Sequence, residues 1–221
     1  MSHREFKEHL HSKFARVGGA LCSARRLELL DLLAQAPRHV EALAGETSMS
    51  VANVSQHLQT LRAARLVSAE RQGTTMVYRL AGDDVLRLWL ALRSVAETRL
   101  AEVKVVATEF AVEGLDGAPL SRDELERMLT DEATLLIDVR PSLEFAHGHL
   151  PGAISVPIEE LPRRLHELPK GRRIVTYCRG TYCLFADEAV ALLRAHGFEA
   201  VRIEGGWPEW LVEGRATAEG V

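Results

Sequence analysis

The sequence predicts a multidomain chain: a mainly-α domain closed by a β-hairpin, then an α/β domain with a parallel sheet. Three observations carry that prediction. Apolar residues recur at helical spacing through most of the first half, whereas short apolar runs at 135–139, 174–177 and 200–203 alternate with helical segments in the second. Between the two, extended stretches flank Gln72-Gly73. Charge divides the same way: residues 1–82 carry 11 Lys/Arg against 7 Asp/Glu, and the remainder 16 against 24. A basic first part and an acidic remainder confine any contact with nucleic acid to the N-terminal module.

In the first half, Leu27, Leu29, Leu30, Leu32 and Leu33 mark a helix over 24–35, stopped by Pro37. A short helix over 40–44 and a turn over 45–48 follow. Ser50 is the N-cap of the next helix, which turns Val51, Val54, Leu58 and Leu61 toward the core. That phase leaves Ser50, Ala52, Asn53, Ser55, Gln56, His57 and Gln59 at polar or boundary positions. Such side chains suit phosphate and base-edge hydrogen bonds, with Asn53 and Gln56 the base readers; the alternative is a solvated helical face. The alternation on either side of Gln72-Gly73 makes a hairpin, to which Arg71 and Arg79 give cationic reach toward a DNA backbone. Arg62 and Arg65 either join them or cap the end of the preceding helix. The arrangement is a winged helix-turn-helix.

Residues 84–110 read as one long helix whose Val85, Trp89, Leu92, Ala96, Leu100, Val103 and Val106 form an apolar stripe. The stripe pairs with a symmetry mate, together with Phe6, Leu10 and Phe14, or else packs on its own domain. The break from Gly114 to Pro119 sets the domains at 1–113 and 119–221, with a linker over 114–118.

Arg26-Leu27-Glu28-Leu29-Leu30, the string Ser50 to Leu61, and the wing ending Val77-Tyr78-Arg79-Leu80 resemble the ArsR/SmtB family of winged-helix repressors. The resemblance implies a homodimer that places two recognition helices in successive major grooves of a palindromic operator in double-stranded DNA. Metal-sensing relatives carry Cys-x-Cys in the helix before the turn, where this chain has His39-Val40-Glu41, and residues 84–110 contain no histidine. No metal and no cofactor are therefore expected.

In the second half, Ser121 with Glu124 makes a capping box for a helix reaching Leu129. Helices over 158–166 and 183–195 separate the short apolar strands, which argues for a parallel sheet with its site beyond the carboxyl ends of the strands. Cys178 falls there, at the head of the loop Cys178-Arg179-Gly180-Thr181-Tyr182-Cys183. Backbone amides of 179–183 and the following helix N-terminus are expected to converge on Cys178 and lower its pKa; the alternative is a merely buried cysteine. His147 and His149 flank a turn, a weak metal signal without further ligands.

Asp138-Val139-Arg140, Glu144-Phe145, His147-Gly148-His149-Leu150-Pro151-Gly152-Ala153, Cys178-Arg179-Gly180 and Gly205-Gly206-Trp207-Pro208-Glu209-Trp210 together look like a single-domain rhodanese over 119–214. The resemblance implies persulfide chemistry on Cys178, with Asp138 and Arg140 orienting the site through ionic contacts; a plain structural salt bridge remains open for that pair. Rhodanese loops close with Arg five residues after the cysteine, and here Cys183 stands in that place. Loss of the Arg weakens the case for an anionic donor such as thiosulfate. The second thiol offers instead a bond between Cys178 and Cys183 once a persulfide has formed, if the loop brings the two together. Phosphatase-like loops need Arg one residue later, where Leu184 sits.

The absence of an 18-residue apolar run, and charges at Arg4, Glu5, Lys7 and Glu8, give the expectation of a cytoplasmic protein without membrane contact. Three cysteines are too few for a disulfide scaffold. Cys22 is a small buried or boundary residue unless the cysteine loop reaches it. The functional expectation is a regulator, of repressor type, that senses or relays sulfane sulfur supplied by a low-molecular-weight persulfide or similar donor. The alternative is a sulfurtransferase whose winged domain dimerises it or tethers it to DNA.

Overall fold

The computed structural model describes residues 1–110, 118–129 and 133–220, so the expected linker over 114–118 lies almost wholly outside the described residues. The chain divides into two compact units, Met1–Leu92 and Arg93–Val221.

The first unit holds α1 (His3–Leu21), α2 (Ala24–Leu33), β1 (Arg38–His39), α3 (Val40–Thr47), α4 (Val51–Ala63), β2 (Val67–Gln72), β3 (Thr75–Leu80) and the start of α5 (Asp83–Arg99). Its core is built from Leu29, Leu30, Leu33, Leu43, Val54, Leu58, Leu61 and Val67. The Ser50 hydroxyl accepts the Asn53 amide at 3.3 Å, capping α4 as expected. At the other end Arg65 takes a left-handed conformation (φ 60°), and the Leu66 amide returns to the Leu61 carbonyl. Arg65 therefore serves the helix terminus through its backbone. β2 and β3 pair antiparallel from Val67–Leu80 to Gln72–Thr75, with Gly73 at φ 61° in the turn, and β1 adds a third strand beside β3.

Three local expectations change. α3 runs on through Gly45 to Thr47, and the turn is carried by Ser48 in a left-handed conformation. Val51 is exposed, because the first helical position of α4 lies beyond the edge of the core that Val54 and Leu58 enter. Val85 is packed into this unit's own core, so it is not available as a dimer contact. Trp89 is partly buried and its indole N–H donates to Asp31 at 3.0 Å.

The expected single helix over 84–110 is two, α5 and α6 (Ala101–Glu109), because Leu100 leaves helical geometry at φ −111°, ψ 105°. No residue of α6 is buried.

The rest of the second unit comprises α7 (Arg122–Met128), β4 (Thr134–Asp138), α8 (Ser142–His147), β5 (Ile154–Ser155), α9 (Leu161–Arg164), β6 (Arg173–Tyr177), α10 (Phe185–Ala195), β7 (Ala200–Arg202) and α11 (Trp207–Val212). The strands form a parallel sheet in the order β5-β4-β6-β7. Alternate residues feed two cores, as the period of a strand requires. Leu135, Ile137 and Ile174 join Ala189, Val190 and Leu193 of α10 on one face. Leu136, Val175 and Tyr177 join Leu125, Trp207 and Trp210 on the other. The capping box of Ser121 and Glu124 starts α7. Among the described residues no helix is long and apolar enough to cross a membrane.

Candidate functional site

The loop from Cys178 to Leu184 leaves the carboxyl end of β6 and enters α10 at Phe185, two residues later than the sequence suggests. Cys178 is 1% exposed and Cys183 partly exposed; both are free thiols. The Cys178 thiol donates to the Cys183 carbonyl oxygen at 3.2 Å and faces the Gly180 carbonyl oxygen at 3.8 Å.

Amides are shared between the sulfurs rather than gathered on one. Those of Gly180 and Ala186 face Cys178, and those of Arg179 and Phe185 face Cys183. This corrects the expected thiolate at Cys178. Burial, followed by the neighbouring Cys183 thiol, pushes its pKa well above the ordinary range. Cys183 moves the other way, lowered chiefly by the hydrogen bond from Cys178, with backbone amides and the Arg179 charge assisting against desolvation.

Arg179 is held in place. Its Nε donates to the Glu144 carboxylate at 2.8 and 3.1 Å, and its Nη2 lies 2.5 Å from Oε1 of the same fully buried residue. The guanidinium also sits 5.7 Å from the Phe185 ring centroid. On the opposite side Gly206 meets the loop so closely that a Cβ there would fall 2.2 Å from the Cys178 carbonyl oxygen and 2.5 Å from the Gly180 nitrogen. The Trp207 amide donates to that same Cys178 oxygen at 3.1 Å. Glu209 accepts the Gly206 amide at 2.9 Å and pairs with Arg93. Thr181 and Tyr182 stand exposed at the rim.

Asp138 and Arg140 lie at the end of β4, both fully buried. Arg140 donates to both Asp138 oxygens, at 3.0, 3.1 and 2.6 Å, and to the Gly148 carbonyl at 2.7 Å, with the Tyr177 and Trp207 rings about it. Burial alone would lower the guanidinium pKa, but the charge and hydrogen bonds of Asp138 outweigh it and the net shift is upward. The pair touches neither cysteine through these bonds and braces the sheet end. Sequence reasoning gave no role to Glu144, Gly206 or Glu209. All three stand in the rhodanese-like motifs, yet a partner 35 residues away, as Glu144 is for Arg179, has no local signal.

In the first unit α4 leaves Ser50, Asn53, Gln56, Gln59 and Arg62 exposed, with Ser55 and His57 partly covered. Gln56 and Gln59 border an open groove of about 460 Å³ that Arg16 and Gly19 of α1 also line. On the wing, Arg79 pairs with Glu70 at 2.5 Å and the Arg71 Nε donates to the Gly73 carbonyl. His39 accepts the Ala42 amide as the N-cap of α3, and His149 stacks on Phe145. Among the described residues no cluster of three His, Cys, Asp or Glu side chains is arranged for a metal.

Comparison with known proteins follows the same division. The family described as bacterial regulatory protein, arsR family, matches residues 23–69, and the rhodanese-like domain matches residues 121–213. The HTH-type transcriptional regulator Rv0324 of Mycobacterium tuberculosis is 45% identical over 214 residues, covering 97% of this chain and 94% of that protein. A sulfurtransferase of Allochromatium vinosum is 34% identical over 90 residues, 40% of this chain and 82% of its own length. Among solved structures, the homodimeric winged helix-turn-helix DNA-binding domain Mb0332 of Mycobacterium bovis is 46% identical and covers 46% of this chain and 93% of its own, with a TM-score of 0.43. With a relative matched over nearly its whole length and both domain families in order, this chain belongs to the ArsR family of bacterial transcriptional regulators, and it carries a rhodanese-like domain behind its helix-turn-helix.

Proposed function

We propose that this regulator binds a palindromic DNA operator as a homodimer in the reducing cytoplasm, and that the sulfur state of the Cys178–Cys183 pair sets its affinity. The observation that carries the reading is the second thiol. Cys183 occupies the place of the arginine expected of a rhodanese loop, and its carbonyl oxygen accepts the Cys178 thiol at 3.2 Å, an arrangement suited to trapping a sulfane sulfur rather than to rapid turnover. Asn53 and Gln56 are exposed near the start of α4, where base edges would be read, and Arg71 and Arg79 lie on the adjacent wing. Support for the dimer comes from the exposed apolar side chains Phe6, Leu10 and Phe14 of α1, Val95 of α5 and Leu100 between α5 and α6.

A sulfur-dependent switch requires that the DNA-competent conformation bind the two sulfur states unequally. The test is a titration of the full-length protein with a duplex that it has itself selected from a random pool, first reduced and then treated with a low-molecular-weight persulfide. An affinity change abolished by Cys178→Ala supports the reading, and identical titrations reject it. The similarity to a sulfurtransferase favours a second reading, catalytic sulfur transfer, which gains if sulfur passes through the pair repeatedly without any change in DNA affinity.

A further inference from the structure

We infer that Cys183, not the loop-heading Cys178, is the thiol that first takes sulfur from an incoming low-molecular-weight persulfide, and that Cys178 then resolves it. The inference rests on the proposed role of the pair and assigns the order of events within it.

Access decides first. Cys178 is 1% exposed, sits in the apolar core with Ala186, Ala189 and Val190, and directs its S–H at carbonyl oxygens. Cys183 is partly exposed beside the open rim residues Thr181 and Tyr182. A donor can therefore approach Cys183 with the loop as it stands, whereas Cys178 requires the loop to open. Electrostatics agrees. The Cys178 thiol beside it and the Arg179 guanidinium, fixed by Glu144 and Phe185, both favour the Cys183 thiolate. Burial pushes the Cys178 thiol pKa upward.

The chemistry balances with the persulfide as the only co-reactant. The Cys183 thiolate attacks the terminal sulfur of R–S–SH; that S–S bond breaks, R–S⁻ departs with the electron pair, and Cys183 carries an –S–SH group. Cys178 sulfur then attacks Sγ of Cys183, giving up its proton. The bond from Sγ to the terminal sulfur breaks, HS⁻ leaves with the electron pair, and the released proton makes it H₂S. The two cysteines are oxidised to a disulfide and the sulfane sulfur is reduced to sulfide. In this order the buried thiol meets only a neighbouring sulfur, never a free donor.

The experiment uses the full chain and its Cys178→Ala and Cys183→Ala variants, mixed with glutathione persulfide, quenched with an alkylating agent at set times and read by intact mass and peptide mapping. Cys178→Ala loses the neighbouring thiol that favours the Cys183 thiolate, so it should take up one sulfur on Cys183 more slowly than wild type but faster than Cys183→Ala takes it up, and keep it. Cys183→Ala should take up sulfur about tenfold more slowly or worse. Sulfur arriving on Cys178 of the Cys183→Ala variant at the wild-type rate overturns the inference, as does a Cys178→Ala variant that folds, by thermal melting, but takes up none. Titrating the same samples with the selected duplex separates the two claims. Uptake through Cys183 with no change in DNA affinity rejects the regulatory reading alone, and a responsive DNA affinity with Cys178 modified first rejects the order alone.

Discussion

Replacing Arg140 by Met tests whether the Asp138–Arg140 pair is part of the sulfur site or part of the frame beneath it. Both residues are fully buried, and Arg140 makes at least four side-chain hydrogen bonds, three to Asp138 and one to Gly148. Met fills much of the same volume but leaves Asp138 as a buried carboxylate without its counter-charge, which costs about 3–5 kcal/mol. In a unit of roughly 100 residues each kcal/mol lowers the melting temperature by about 4–8 °C, so the rhodanese-like unit should melt more than about 10 °C lower. Asp138→Asn combined with Arg140→Met removes the orphaned charge as well. Because the penalty of the single variant is mostly that charge, the double variant should recover at least about 2 kcal/mol. Calorimetry of the full chain, with persulfide uptake measured below both transitions, reads the two roles separately. A single variant within about 1 kcal/mol of wild type refutes the energetic argument. A stable double variant that no longer takes up sulfur refutes the assignment of the pair to the frame.

Iodoacetamide labelling across pH should reach half its maximal rate on Cys183 at a lower pH than on free cysteine in the same buffer, and on Cys178 at a higher one, because the first pKa is lowered and the second raised; peptide mapping of the labelled chain checks the order. Asn53→Ala or Gln56→Ala should weaken binding to the selected duplex by about 1–3 kcal/mol for each bidentate hydrogen-bond pair to a base that it removes, whereas Arg71→Ala should weaken selected and random duplexes alike with a shallower salt dependence, both read by fluorescence anisotropy. Phe14→Ser, at a side chain 61% exposed on α1, should shift sedimentation from dimer toward monomer without lowering the melting temperature of the first unit.

What the sequence made legible were the features with a local physical signature. The runs at 135–139 and 174–177 show as strands because a sheet covered on both faces needs unbroken apolar residues, and Ser121 with Glu124 shows as a helix start because the two side chains complete each other's hydrogen bonds. Leu100 hid the break between α5 and α6, since leucine is a good helix former and nothing beside it is Gly or Pro. β1 is two residues long and exists through its pairing with Tyr78 and Val77, so it carries no pattern of its own. At the candidate site the cysteine, its loop and its neighbouring thiol were visible. The direction of the Cys178 shift was not, because amides and a helix terminus can be counted along a chain whereas desolvation depends on the core that Cys178 shares with Ala186, Ala189 and Val190 of another element.

The packing of Gly206 has a mechanical consequence. With no room for even a methyl group between Gly206 and the backbone at 178–180, and with the Cys178 carbonyl tied to the Trp207 amide, the upstream half of the loop behaves as a fixed anchor. Any displacement that accompanies a bond between the sulfurs must then be taken up downstream, by residues 181–184 and the first turn of α10. That turn carries Asp187, whose carboxylate lies 2.5 Å from the Arg202 guanidinium on β7. A covalent event confined to two sulfur atoms would thus be converted into a tug on one end of a helix, with the edge strand beside β6 bearing the load.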